Sequence, residues 1–483
     1  MKLQDITAGL KYENTVNWAP ERDVTDICCN SAKVTDGSAF VAITGFKSDG
    51  HNYIPDAIKK GAKVIVAERY ISELDTGNET WIIVEDTRVA EAILGANFYG
   101  RPAEKMSIIG ITGTNGKTTV TYLVKHILEC GGIKTGLIGT NQNMIGDRVI
   151  ETGRTTPDSL ELQKLFAEME SAGVECVVME VSSHALSLSR VYGIEFEVGA
   201  FTNLTRDHLD FHKTMENYAA AKAKLFENSR FAVINTDDAY GAKMSENAVC
   251  SVVKYGTEKS CDVSAQNIEL HRSGVEFDAC GEHFCLNIPG EFSVYNALCA
   301  IGICRCLEIP AADIAHALSS ASGVKGRAEI VPTGNTDYTV MIDYAHTPDG
   351  IENILNTVRG FAKGRVIIVF GCGGDRDTAK RAMMGKIAGR LADFSIITSD
   401  NPRSEEPSKI IDMIVDGISK TDGRYTVVEN RRDAIEYALS NAQKDDVIIL
   451  AGKGHETYQI LGSGTIHFDE REIVRDILGG KQN

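Results

Sequence analysis

The chain has 483 residues, of which 43% are hydrophobic and 24% charged, and its formal net charge is −17 at pH 7. Such an acid excess excludes the broad basic field that nucleic-acid phosphates require, so no nucleic-acid partner is expected; a small anion held by locally gathered positive charge remains open. No run approaches the roughly 20 apolar residues that cross a bilayer, and no signal-like apolar core follows the first residues. A cytoplasmic protein without a membrane partner is expected.

The length suits about three domains. Residues 1–103 carry short apolar strands, "SAFVAIT", "AKVIVAE" and "TWIIVED", and a helix over Arg88–Phe98, and end at the breaker "YGRPAEK". Residues 104–326 open with "MSIIGIT" and alternate strand and helix; "CVVMEV" and "VGAFTNL" are fully apolar runs, suited to parallel strands covered on both faces. Residues 250–290 are less regular and β-rich, before a helix over Phe292–Leu307. Residues 327–483 alternate again, with strands "YTVMIDY", "RVIIVFG", "FSIITSD", "YTVVEN" and "DDVIILAGKG" between helices over Ile351–Phe361, Thr378–Leu391, Ser408–Ser419 and Arg432–Ala442. The fold class is therefore α/β: a small N-terminal domain, a central P-loop domain with a parallel sheet, and a C-terminal doubly wound, Rossmann-like domain. The 12 cysteines show no C-x-x-C pair and no metal-ligand spacing, with Cys28 and Cys29 adjacent and Cys304 and Cys306 two apart; they read as reduced, mostly buried thiols.

The stretch "GITGTNGKTT" carries the first chemistry. Gly116-Lys117-Thr118 fit the end of the Walker A template, but its first position is Ile111, flanked by Gly110 and Gly113. The physics survives the shift in register. A strand runs into a glycine turn whose N–H groups can face an anion, Lys117 supplies charge, and a helix over Lys117–Leu128 points its N-terminus at phosphates, with Thr118 able to ligate Mg²⁺. A nucleotide loop alone could serve a motor, a switch or an enzyme. "VVMEVSSHAL" puts Glu180 at a strand end, where a carboxylate can reach the same metal, and "FTNLTRDHLDFH" puts Asn203, His208 and Asp210 after the next strand. In "YAAAKAKLF", Lys222 and Lys224 stand two apart on a helix and so face different ways.

Taken together, "GTNGKTT", "EVSSHAL", "TNLTRDHLDFH", "YAAAKAKLF", "EFSVYNAL", "GVKGRAE" and "IDYAHTPD" resemble the Mur ligase family, the ATP-dependent amide-forming enzymes of peptidoglycan synthesis, which are related to folylpolyglutamate synthases. The resemblance implies ATP and Mg²⁺, with catalytic roles for Lys117, Glu180, His208 and Lys222. ATP would contact Gly113, Thr114, Asn115, Gly116, Lys117, Thr118, Thr119, Asn296, Arg327 and Asp343, and His346 would join the same closing contact. Thr118 and Glu180 would ligate one Mg²⁺, and His208 a second together with Lys222, carbamylated by CO₂ so that a cation becomes a carboxylate.

Within the family, "GGDRDTAKR", "DNPRSEEP" and "GKGHETYQ" resemble the members that add meso-2,6-diaminopimelate. Asp400-Asn401-Pro402-Arg403 would read that amino acid, with Arg403 pairing bidentately with its distal carboxylate. Arg376, Gly452 and Glu456 fall at the other amino-acid contacts. Thr155, Thr156, Ser182, Arg190 and, in the N-terminal domain, Ser31 match the positions that hold UDP-N-acetylmuramoyl-L-alanyl-D-glutamate, although Ser31 stands in "NSAKV" without the flanking aspartate and arginine of the family pattern. The resemblance thus implies a monomeric ligase that joins diaminopimelate to the D-glutamate γ-carboxylate through an acyl phosphate. The alternatives are a lysine-adding relative, another Mur ligase or a folylpolyglutamate synthase.

Overall fold

The computed structural model describes residues 1–45, 48–271, 273–334 and 336–479, the side chain of Asn247 aside. Three sheet systems follow one another along the chain, as the alternation of apolar runs and helices anticipates. By packing, the chain divides into two units: residues 1–110, 133–199 and 224–230 form one, and residues 111–132, 200–223 and 231–483 the other.

The first unit begins with a five-stranded sheet in the order Asn14–Val16, Thr80–Ile83, Val64–Ala67, Ala39–Val41, Ile27–Cys28. Its strands are buried on both sides because apolar residues line both faces. Val41, Val64, Val66 and Ile82 pack toward the helix Thr87–Phe98, while Phe40, Ile65, Trp81 and Ile83 pack toward the helix Ile54–Lys59. Asp86 starts the longer helix by accepting hydrogen bonds from the backbone N–H groups of Arg88 and Val89.

The central sheet has nine strands. The Ser107–Thr112 strand lies between Cys176–Glu180 and Phe196–Phe201, and Cys176–Glu180 pairs in parallel with Thr135–Ile138. Elements not anticipated include the hairpin Asn143–Ile145/Arg148–Ile150 and the helices Ser159–Ser171 and Ala311–Ser320. The β-rich stretch resolves into strands that include an antiparallel three-stranded sheet, Gln266–His271, Gly274–Ala279 and Glu282–Leu286.

In the second unit, the last sheet has six strands in the order Glu329–Val331, Thr339–Asp343, Val447–Ala451, Val366–Phe370, Phe394–Ile397, Tyr425–Val427. All neighbours pair in parallel except the first strand, which is antiparallel to Thr339–Asp343. Alternate residues serve opposite faces. Ile368 and Ile449 meet Ile354, Met384 and Ile414, whereas Ile367 and Ile448 meet Ile435, Leu439 and Val474. Helices on both faces explain why these strands read as unbroken apolar runs.

All 12 cysteines are free thiols, but only five are buried: Cys28, Cys176, Cys299, Cys304 and Cys372. The expectation of mostly buried thiols fails because several occupy element ends or half-solvated sheet faces, such as Cys285. Among the described residues no helix is long and apolar enough to cross a membrane.

One buried carboxyl in the first unit has a measurable consequence. Glu91, on the helix Thr87–Phe98, is 6% exposed and accepts a hydrogen bond from the Cys29 thiol at 3.2 Å. Burial, opposed by that hydrogen bond, pushes its pKa from 4.5 up to about 7. The folded state therefore holds a proton that the unfolded chain has released between pH 4.5 and 7, so this group's contribution to stability falls as pH rises through that window, by roughly 3 kcal/mol in total. Glu91→Gln should flatten the pH dependence of urea-unfolding stability between pH 5 and 7, raising stability at pH 7 relative to pH 5.

Candidate functional site

The Ser107–Thr112 strand delivers the chain into residues 113–116, and the helix Lys117–Cys130 follows at once. Gly113 and Gly116 have φ of +148° and +86°, a region that favours glycine. Space also demands glycine. A Cβ on Gly113 would collide with the Thr202 hydroxyl, and one on Gly116 would stand 2.5 Å from Asn296 Oδ1.

The end of the neighbouring strand clamps this loop. The Thr114 N–H donates to the Asn203 carbonyl at 2.9 Å, the Asn115 N–H to Asn203 Oδ1 at 2.9 Å, and Thr202 Oγ1 to the Asn115 carbonyl at 2.6 Å. Lys117 Nζ folds over the turn and donates to the carbonyls of Gly113 and Thr114, each at 2.9 Å. The carbonyls are thereby occupied, and the helix N-terminus presents N–H groups and positive charge together.

Lys222, on the helix Met215–Ala223, is 1% exposed, and its Nζ donates to the Gly113 carbonyl at 2.7 Å. Lys224 is exposed, as the two-residue spacing implies. Burial, with Lys117 nearby, holds the Lys222 amine well below its usual pKa, which favours the neutral form. Its Nζ lies 4.6 Å from the centroid of the Tyr218 ring, and the Tyr218 hydroxyl is 3.2 Å from Thr114 Oγ1.

His208 adopts φ +54° at the start of the short helix Leu209–His212, with Nε2 3.4 Å from Asp207 Oδ2. Asp207 is buried and lies 3.6 Å from Lys380 Nζ. Burial raises its pKa, but His208, Lys380 and His346 outweigh this and hold the carboxyl below its usual range. Asp210 is exposed, so Asp207 is the carboxylate that stands with His208.

Beside the loop, within the second unit, lies a cavity of about 500 Å³ lined in part by Asn115, Gly116, Thr119, Asn296, Arg327 and Asp343. Its volume falls in the range of small-ligand sites. Arg327 Nη2 donates to Thr118 Oγ1 at 3.0 Å, its guanidinium lies 4.7 Å from the Tyr344 ring centroid, and its buried Nε has no hydrogen-bond partner. A guanidinium lining such a cavity suits an anionic ligand. Asp343 accepts the N–H groups of Ala328 and Ala345, which fixes the turn carrying Arg327 against the strand Thr339–Asp343. Burial lowers the pKa of His346 to about 4, so it is neutral at pH 7, with Nδ1 2.7 Å from the Tyr344 carbonyl.

In the first unit, four of the residues assigned to the nucleotide-peptide substrate gather around Glu180. The Glu180 carboxylate accepts from the Thr140 N–H at 2.8 Å and from Thr140 Oγ1 at 2.9 Å, and Thr140 Oγ1 is 3.0 Å from Thr155 Oγ1. Thr156 Oγ1 donates to the Glu180 carbonyl at 2.9 Å and lies 3.3 Å from Ser182 Oγ; Arg190 Nη1 donates to the Thr156 carbonyl at 2.9 Å. Ser31 sits on a separate single turn, its carbonyl accepting from Lys60 Nζ at 2.9 Å.

The remaining candidates converge at the carboxyl ends of the last sheet's strands, where ligands of doubly wound folds bind. Asn401 is buried and fully committed: Oδ1 accepts from Lys453 Nζ at 3.1 Å and from the Ile460 N–H at 2.9 Å, and Nδ2 donates to Glu456 Oε2 at 2.9 Å. Burial raises the Glu456 pKa despite Lys453. Asp400 is also buried, 3.7 Å from Arg431 Nη1, and a Cβ on Gly452 would stand 2.7 Å from Asp400 Oδ2. Asp400 and Asn401 therefore face inward and hold the loop.

Pro402 is buried too, and its carbonyl leaves no room for a side chain at Gly374. Arg403, half-buried with φ +54°, donates from Nη1 to the Gly374 carbonyl at 2.8 Å. Among the described residues its Nε and Nη2 have no partner. Arg376 is exposed, with Nη1 3.1 Å from the Asp375 carbonyl.

Comparison with known proteins assigns the chain. Three family models match: "Mur ligase family, catalytic domain" over residues 23–99, "Mur ligase middle domain" over 111–304, and "Mur ligase, glutamate ligase domain" over 326–454. The chain belongs to the Mur ligase family. Among similar proteins, this Mur ligase is 53% identical to the UDP-N-acetylmuramoyl-L-alanyl-D-glutamate--2,6-diaminopimelate ligase of Caldanaerobacter subterraneus subsp. tengcongensis and 52% identical to that of Clostridium botulinum, each over 99% of both chains. A solved structure of a ligase with that name superposes with a TM-score of 0.69 at 29% identity, covering 100% of this chain and 99% of the other. A folylpolyglutamate synthase of Mycobacterium tuberculosis, 18% identical with a TM-score of 0.63, shares the fold over 81% of this Mur ligase and 95% of its own length.

Four residues of the Mur ligase site escaped sequence reasoning. Asp207 was hidden by its neighbour, although a carboxylate directly before His208 is a usable signal. Thr202 acts through a hydroxyl at a strand end, where composition carries no message. Asp349 accepts from Asn115 Nδ2 at 2.6 Å from far along the chain, and Lys453 is a fully buried cation inside a glycine turn. Gly116→Ala should weaken binding of a non-hydrolysable ATP analogue at least tenfold by calorimetry, while far-UV circular dichroism stays unchanged.

Proposed function

We propose that the chain is an ATP-dependent ligase of peptidoglycan synthesis, which joins meso-2,6-diaminopimelate to the D-glutamate γ-carboxylate of UDP-N-acetylmuramoyl-L-alanyl-D-glutamate and releases ADP and phosphate in the cytoplasm. The observation that carries the reading is the intact Asp400–Arg403 loop, with its two inward side chains buried and one edge of the Arg403 fork unengaged, in a chain whose full-length relatives bear that ligase name. The boundaries 103/104 and 326/327 and a monomeric state belong to the same proposal.

A carboxylate is a poor acyl donor because its oxygen leaves badly. Transfer of the γ-phosphoryl group of ATP makes it an acyl phosphate, and the diaminopimelate amine then attacks the carbonyl carbon and expels phosphate. The glycine loop and Lys117 hold the phosphates and offset the charge that spreads over the transferring group. Asn296 and Arg327, which line the cavity, would border the nucleotide.

Thr118, Glu180, His208 and Lys222 are each proposed as Mg²⁺ ligands. Hydroxyl and carboxylate oxygens suit a hard cation, and a carbamate on Lys222 would add another. When bound, Mg²⁺ would neutralise phosphate charge. Carbamylation requires a neutral amine to attack CO₂ with loss of a proton, and the depressed pKa of Lys222 supplies that form. Thr155, Thr156, Ser182 and Arg190 are proposed to hold the nucleotide-peptide. Arg403, with Arg376, would grip the distal carboxylate, and Glu456 would receive the ammonium, keeping the attacking amine near the carbonyl.

Phosphate release should require the nucleotide dipeptide and diaminopimelate together, and equal turnover with lysine would overturn the specificity. Arg403→Ala should raise the KM for diaminopimelate at least 100-fold and change the KM for ATP less than threefold. Lys222→Ala should lose nearly all activity and regain part of it in formate or acetate, which can occupy the place of the carbamate; a variant that these acids leave inactive would remove the carbamate from the scheme.

A further inference from the structure

The antiparallel sheet Gln266–His271, Gly274–Ala279, Glu282–Leu286 has two unlike faces. Inward, Val275, Phe277, Ala279, Phe284 and Leu286 form a buried layer. Outward, strand alternation places Glu269 and His271 on the first strand, Glu276 and Asp278 on the second, and His283 and Cys285 on the third. The register sets Glu276 directly opposite Glu269 on one side and Cys285 on the other, and Asp278 opposite His283. Two carboxylates facing each other across a ladder repel, and His271, near both, and His283, near Glu276, offset that repulsion.

The donor atoms are already close. One atom each from Glu276, His283 and Cys285 lie within 4.8 Å of one another, and so do those of Glu269, His271 and Glu276. Glu276 belongs to both sets: its Oε2 is 3.5 Å from His283 Nε2 and its Oε1 3.9 Å from His271 Nε2. Around a tetrahedral ion with bonds of about 2.0–2.3 Å, neighbouring donors stand roughly 3.3–3.8 Å apart. The two sets meet at Glu276, whose two oxygens face the two imidazoles.

A second feature orients the imidazole. His283 Nδ1 lies 2.8 Å from Asp278 Oδ1, and Asp278 Oδ2 in turn accepts from Asn267 Nδ2 at 2.7 Å. With Nδ1–H donated to Asp278, the ring is oriented so that Nε2 points to Glu276, where a metal ion would displace its proton. Histidine ligands of transition metals are held in this way.

We propose that this sheet face is a binding site for a thiophilic divalent ion such as Zn²⁺, ligated by Glu276 oxygen, His283 Nε2, Cys285 Sγ and His271 Nε2, with Asp278 as the orienting partner of His283. Binding releases the thiol proton and the Nε2 proton of His283 to solvent. One thiolate and two imidazoles distinguish the set from the oxygen-rich one expected of Mg²⁺.

The test titrates Co²⁺ into the full-length chain with excess Mg²⁺ present. The wild type should take up one equivalent and show thiolate-to-metal charge-transfer absorption in the near ultraviolet; Zn²⁺ should abolish that band by competition. Cys285→Ser should lack the band while keeping the far-UV circular dichroism of the wild type, and Asp278→Asn should weaken binding about tenfold. A wild type without the band, or a band that survives in Cys285→Ser, overturns the proposal.

Discussion

The chemistry rests on how tightly residues 113–116 are clamped by the strand end at Thr202 and Asn203. A phosphate-binding turn works only if its N–H groups stay aimed at one point, and a glycine turn left alone would wander. Here the Asn203 backbone and side chain each take one loop N–H, Thr202 takes a carbonyl, and Lys117 and Lys222 take the carbonyls that would otherwise face the anion. The glycines and the clamp require each other. Close approach to Thr202 and Asn296 leaves no volume for a Cβ, and the absence of a Cβ lets the clamp close.

Lys222 shows how burial can prepare a side chain. A fully charged ammonium at 1% exposure beside a second lysine is unfavourable, and the single strong acceptor it meets is a backbone carbonyl. The environment favours a neutral amine, and a neutral amine is nucleophilic. Asp207 works in the opposite sense: burial raises its pKa, but the electrostatic pull of its neighbours His208 and Lys380 outweighs this and holds it below its usual range.

What was legible in the sequence followed the strength of local signals. The strands of the last sheet and their helices were readable because burial on both faces writes long apolar runs. The glycine loop was readable from its own residues, whereas Lys222 and the 400–403 loop stood out only through the family resemblance, because a lysine on a helix and an Asn-Pro turn are ordinary surface features. The helix Ser159–Ser171 was legible too, since Leu162, Leu165, Phe166 and Met169 form a regular apolar stripe that went unassigned, and the helix packs on Thr87–Phe98. The inward turn of Asp400 and Asn401 was illegible, since their partners lie tens of residues away, Arg431 at the start of a helix and Lys453 and Glu456 in the turn after a strand.

The mount of Arg403 is separate from its guanidinium. The backbone there is tied to neighbouring segments by Arg403 N–H to the Ile460 carbonyl and Gly374 N–H to the Asn401 carbonyl, bonds indifferent to the side chain. The left-handed backbone of position 403 narrows the choice of replacement, and a loop contact that does need the guanidinium is its bond to the Gly374 carbonyl. On the proposed reading of Arg403, a change of acceptor asks for a new tip at this position and a new donor for the Gly374 carbonyl, while the backbone bracket stays as it is.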